Sequence, residues 1–155
     1  MKTLQRTTLF TTLLLLLTSI HHLYGAIIYH SHWRLHILFI SLPLLFIIWL
    51  LDKRYRATHS NSLRLTYLLA VGIFPMIVIG VYEGVYNHLF KNIIYFAGVD
   101  DHIYHMLFPA PLYEKPNDWL FELTGILQAF FVYPLLVNFM KMCRRTIFVQ
   151  QSQEL

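Results

Sequence analysis

The fold class predicted for this 155-residue chain is an all-α integral membrane protein of four transmembrane helices in one domain, 1–155. Three features predict it. Hydrophobic residues make up 57% of the chain and charged residues 13%, and the mean hydropathy is +0.53, a balance foreign to soluble domains. Four apolar runs, about 8–28, 35–51, 64–86 and 119–140, approach the roughly 20 residues a helix needs to cross hydrocarbon. None of them alternates with the period of two expected of a membrane β-strand.

Sorting charge along these runs gives an orientation. Nine of the twelve Lys and Arg fall at one end (Lys2, Arg6, Lys53, Arg54, Arg56, Arg64, Lys141, Arg144 and Arg145), together with Asp52 and Glu154. The other end holds three cations, Arg34, Lys91 and Lys115, against six of the eight acids. By the positive-inside rule both termini are cytoplasmic, and a long outer loop, 87–118, joins the third and fourth helices. The expected site of residence is the inner membrane of a bacterium, with the acidic face outward. The pI near 9.3 therefore reports topology. No basic surface interleaved with aromatics points to nucleic acid. Eight of the nine histidines also sort to the outer end; only His59 does not.

Helix 1 opens with Lys2 and Arg6 before a leucine-rich run, like a secretory signal, but Tyr24 stands where a cleavage site wants a small residue, so a retained helix is expected. Thr11, Thr18, His22 and Tyr29 follow at spacings of seven, four and seven and so share a face, expected to point into the bundle. That places His22 about 9 Å below the outer end at 1.5 Å per residue; His21, some 100° round the helix, is the weaker candidate. The turn 29–34 carries Ser31 as a cap for helix 2. His32 and His36 stand at a spacing that suits two ligands of one metal or a plain interfacial anchor. Pro43 is expected to kink helix 2.

Helix 3 aligns Gly72, Met76, Gly80, Gly84 and Asn87 on nearly one stripe, a surface that another helix, subunit or second copy of the chain can approach closely. Glu83 borders it, and a carboxylate so placed must be paired, solvated, metal-bound or protonated. After it, Leu89, Phe90, Ile93, Ile94 and Ala97 predict a short interfacial helix lying on the bilayer, with Lys91, Asn92 and Tyr95 on another side, stopped at Gly98. Asp100 is a cap for a second short helix bearing His102 and His105, with Asp101 adjacent. Pro109, Pro111 and Pro116 stiffen the return, folding the loop over the bundle as a lid. Helix 4 starts at Asn117 or Asp118 and places Glu122 in its first turns. Cys143 is the single cysteine, which excludes an internal disulfide.

These residues support several chemistries. A divalent transition metal (zinc, iron or copper) has candidate ligands in His102, His105, His88, His22 and Asp101, serving an enzyme of lipophilic substrates or a handler of the metal itself. Glu83 and Glu122 offer instead a metal-free acid–base pair for a lipid or terpenoid isomerase or hydrolase. A b-haem carrier would use His22 with His88 or His36. A non-catalytic subunit would dock through the Gly72, Gly80 and Gly84 face. The sequence carries no desaturase histidine boxes, no Glu-x-x-His di-iron pairs, no Cys-x-x-Cys and no phosphate-binding loop.

Overall fold

The computed structural model describes residues 2–110 and 113–151, with side chains as far as Arg144; Pro111, Glu154 and the Arg145 side chain lie outside the described residues. Five helices follow one another: α1 (Lys2–Ile28), α2 (His36–Thr58), α3 (Asn61–Phe96), α4 (Asp101–Leu107) and α5 (Trp119–Gln151). A short 3₁₀ turn, His32–Leu35, leads into α2. There are no strands among the described residues. Four helices are long and apolar enough to cross a membrane: Lys2–Ile28, His32–Thr58, Asn61–Phe96 and Trp119–Arg144. At 27 residues, the first spans about 40 Å, more than the roughly 30 Å hydrocarbon core.

Histidines end both of the first two helices. His30 and His59 take left-handed backbone angles (φ 49° and 53°), and the His59 N–H closes back on the Tyr55 carbonyl at 2.8 Å, the geometry by which a chain leaves a helix. Ser31 makes no side-chain cap; the expected capping bond is replaced by the backbone turn, in which Ser31 N donates to Ala26 O at 3.0 Å. Pro43 lies within α2, and the helix continues through it to Thr58.

α1 packs against α2 and α5, α5 packs against α3, and α2 packs against the 61–71 part of α3, closing a four-helix ring. The buried positions Leu4, Thr7, Thr11, Leu14, Thr18, His21 and Gly25 step by three and four along α1, the narrow stripe of a coiled-coil interface. Hydroxyls on this helix bond twice, to their own helix and to a neighbour. Thr8 donates to Leu4 O at 3.1 Å and meets the Tyr67 hydroxyl of α3 at 2.9 Å. Ser19 donates to Leu15 O at 2.7 Å and meets Ser41 of α2 at 2.8 Å. Thr7 reaches the Met142 sulfur of α5 at 3.4 Å. Such bonds supply directionality that apolar packing in lipid lacks.

α3 departs most from expectation. It runs unbroken to Phe96, so the segment from Leu89 continues the third long helix and is not a separate short one, and the loop begins only at Ala97. Between Gly72 and Phe90 its turns widen to π-helical bonding. Buried residues recur every fourth place: Gly72, Met76, Gly80, Gly84, His88 and Asn92. In an α-helix at about 100° per residue that series would drift about 40° each step; wider turns hold it on one face. Lys91 and Asn92 thus face inward, while Phe90 and Ile93 are exposed.

That face is filled by α5. A Cβ on Gly80 would lie 2.2 Å from Val132, and one on Gly84 2.7 Å from the Ala129 backbone nitrogen. The stripe of Gly72, Gly80 and Gly84, a docking face in the sequence, lies here against the chain's own α5. Close approach of two backbones there needs residues without side chains.

Beyond α3, Gly98 (φ +70°) turns the chain, and Asp100 caps α4 by accepting from His102 N at 2.9 Å. Phe108 buries itself on Tyr86 and Phe90 of α3, and Tyr104 on Tyr95 and Phe108. Two further bonds tie the segment down: Tyr86 donates to Leu107 O at 3.0 Å, and Tyr82 and Tyr113 share a hydroxyl bond of 2.6 Å. Asp118 caps α5, accepting from Phe121 N at 2.8 Å, and also accepts from Tyr24 of α1 at 3.2 Å.

Candidate functional site: a buried histidine and glutamate centre

Opposite the basic end, three helices bring their polar residues to one place. α1 supplies His21 and His22, α3 supplies Glu83, His88, Lys91 and Asn92, and α5 supplies Glu122, Thr124 and Gln128. Glu83 is only 8% exposed. Its Oε1 accepts from His22 Nε2 at 2.7 Å, lies 4.0 Å from His21 Nε2, and has Gln128 Nε2 at 3.5 Å. The rings of His21 and His88 meet edge to face at 4.6 Å, and His21 stacks on Phe121 at 4.1 Å.

Glu122 forms the other half. It accepts from His88 Nδ1 at 3.1 Å, from Lys91 Nζ at 3.0 Å and from Asn92 Nδ2 at 2.6 Å. Lys91 also donates to the Glu114 carbonyl at 3.1 Å. With three donors filling its oxygens, Glu122 is a counter-ion that positions His88. Glu83 and Glu122 each engage a different set of side chains. Gly125 makes room for this arrangement, since a Cβ there would lie 2.2 Å from the His88 ring.

The hydrogen bonds assign the tautomers. Thr124 directs its hydroxyl hydrogen to the Leu120 and Phe121 carbonyls at 2.8 and 3.0 Å, so its oxygen accepts from His21 Nδ1–H at 2.9 Å. His88 Nδ1–H donates to the Glu122 carboxylate. In the neutral form each ring then keeps a bare Nε2 lone pair. His21 Nε2 and Glu83 Oε1 are then two acceptors facing each other at 4.0 Å, too far for a hydrogen bond. One ligand atom each from His21, Glu83 and His88 lies within 4.8 Å of the other two. His22 Nδ1 and Gln128 Oε1, both beside Glu83, are buried with no partner.

A cavity of about 390 Å³ opens onto this centre. His21, His22, Glu83 and His88 form one wall, Arg34, Lys91 and Glu114 another, and Ile37, Val78 and Tyr82 flank the gap between α2 and α3.

The predicted site residues divide. Glu83, Glu122, His22 and His88 come together. His21, the residue expected to point away, is the more deeply buried of its pair at 1% exposed and belongs to the centre. His102, His105 and Asp101 are exposed on α4, and no cluster of three ligand-bearing residues among the described residues includes them. α4 buries Tyr104 against α3 and turns His102 and His105 outward, away from the buried group. Asp101 instead pairs with Lys115 at 2.9 Å, which holds its carboxyl below the ordinary aspartate range. Since the folded value is the lowered one, this contact is expected to persist above about pH 3.9 and to be lost as pH falls through the folded value; a carboxyl-carbon NMR titration of Asp101 checks it. His36 reaches the edge of the group, its ring 6.5 Å from that of His22, while its Nδ1 bonds the Trp33 carbonyl at 2.5 Å.

The residues missed were His21, Lys91, Asn92, Arg34 and Thr124. The three-and-four stepping of α1 marks His21, and the four-residue stepping of α3 marks Asn92. Arg34 and Thr124 carried no such signal, since their roles depend on which helices become neighbours. No protein-family model, curated protein or solved structure matches this chain.

Proposed function

We propose that this is an integral membrane protein carrying a divalent transition-metal centre on His21, Glu83 and His88, with chemistry on a lipophilic molecule as its task. One observation carries the reading: the bare Nε2 of His21 faces the Glu83 carboxylate across 4.0 Å, a mutual repulsion that a cation bonded at about 2.0–2.2 Å to each atom relieves. Both histidines have the outer support that metal-ligating imidazoles need, Thr124 on His21 and Glu122 on His88. Two imidazoles and one carboxylate suit zinc in a catalytic site or iron(II) with open positions. A metal held by His21, Glu83 and His88 would supply Lewis-acid chemistry there. His22, whose Nδ1 is unpartnered beside Glu83, is placed to take a proton.

Metal analysis of the purified protein tests this. About one zinc or iron per chain is expected, lost from His21→Ala with His88→Ala and retained by His102→Ala with His105→Ala. A native protein without stoichiometric metal ends the reading.

The unpartnered His22 Nδ1 supports a second reading, a metal-free site in which His22 and Glu83 act as the acid–base pair. Activity that survives chelation and is abolished by Glu83→Gln would favour it. In both readings the basic end faces the cytoplasm and the centre faces outward across the inner membrane of a bacterium, as the distribution of Lys and Arg supports.

A further inference from the structure

The cavity beside the histidine and glutamate centre is lined by two cations whose charges are not equally used. Lys91, 3% exposed, is paired with Glu122. Arg34 is not paired: among the described residues no carboxylate lies within ion-pair distance of its guanidinium. Its Nε is buried with no hydrogen-bond partner. The guanidinium lies against the edge-to-face pair of Tyr29 and Phe121, 4.9 and 5.1 Å from their centroids. Glu114 shares the cavity wall, but it meets Lys91 through its backbone carbonyl and makes no ion pair with Arg34.

A buried guanidinium Nε without a partner is costly, and the planar fork of this half-buried side chain matches the geometry of phosphate or carboxylate. The gap between α2 and α3 is of another character. Val78 and Tyr82 line the cavity and are 37% and 48% exposed, so the cavity is open on an apolar side. α2 packs on α3 through the 61–71 part and leaves the upper part more open.

We infer that the cavity binds an amphiphile with an anionic oxyanion head, the head held by Arg34 with Lys91 behind it and the chain leaving between α2 and α3. The inference names the ligand class for the centre proposed above and rests on that reading for the metal's place against the head. Entry is lateral, from the bilayer. Arg34 supplies charge and orientation, and the apolar gap discriminates a tailed ligand from a free ion.

Binding of decyl phosphate, inorganic phosphate and decyl maltoside to the protein in phosphatidylcholine nanodiscs tests each element. Decyl phosphate should bind saturably, inorganic phosphate about tenfold or more weakly, and decyl maltoside should not compete. Arg34→Gln should weaken decyl phosphate about tenfold or more, with Arg34→Lys recovering part of it and metal content unchanged in both. Val78→Trp, which plugs the gap and leaves Arg34 untouched, should weaken decyl phosphate and spare inorganic phosphate. Equal affinity of native protein and Arg34→Gln overturns the inference, as does inorganic phosphate binding as tightly as decyl phosphate. A metal-free native protein that still binds decyl phosphate through Arg34 would end the metal reading and support this one.

Discussion

Glu122→Ala is expected to destabilise the protein by about 3–5 kcal/mol, because it leaves the Lys91 ammonium buried with its charge uncompensated. Three side chains lose their acceptor at once: His88, Lys91 and Asn92. Lys91 keeps only the Glu114 carbonyl, and Asn92 keeps the His88 carbonyl at 2.8 Å. Replacing both charges by apolar residues, Lys91→Met with Glu122→Leu, should cost less than the two single changes added together, with a coupling of about 1–3 kcal/mol. Denaturant unfolding in detergent measures all three variants. If the double variant is as unstable as the sum of the singles, the pair is not coupled and the assignment of Glu122 as counter-ion fails.

Gly84→Val is the second large effect. The added Cβ would stand 2.7 Å from the Ala129 nitrogen and 3.0 Å from Gln128, both on α5 and both within or beside backbone that cannot rotate away. The helices must separate, at about 1–3 kcal/mol or more, and Gln128 moves off Glu83 with them. A thermal unfolding transition in detergent should drop markedly for Gly84→Val and hardly at all for Val81→Leu, which changes an exposed position on the same helix. An unchanged transition in Gly84→Val would mean that α3 and α5 do not approach as described.

The four apolar helices were legible because 20-residue hydrophobic runs have few other uses. Helix ends were legible where a residue acts locally: Asp100 and Asp118 cap the helices that follow them, and Gly98 turns the chain. What the sequence hid depended on phase and on neighbours. Thr18 can be followed on one face by a residue three or four places on, so the same stripe led to His22 by one count and His21 by the other. Glu83 lies between the two rings, and both counts reach it. Lys91 and Asn92 were placed on another side of an interfacial helix whose apolar residues lay on the bilayer. In lipid the apolar side is the outer one, and Ile93 and Phe90 are exposed while Lys91 and Asn92 are buried. The His-x-x-His pattern of His102 and His105 misled for a related reason: spacing shows that two rings share a helix face, and says nothing about whether that face is covered.

The centre draws on the first, third and last helices, which sets a condition on how the protein is made. A ribosome delivers α1 and α3 to the membrane before α5 exists. During that interval His88, Lys91 and Asn92 have no Glu122, His21 has no Thr124, and the glycine face of α3 has nothing against it. A nascent chain at that stage carries an uncompensated lysine and unsatisfied imidazoles at membrane depth, where such groups are expensive. Arrival of the last helix supplies every missing acceptor in one step. The polar core is thus completed only when α5 packs against α1 and α3.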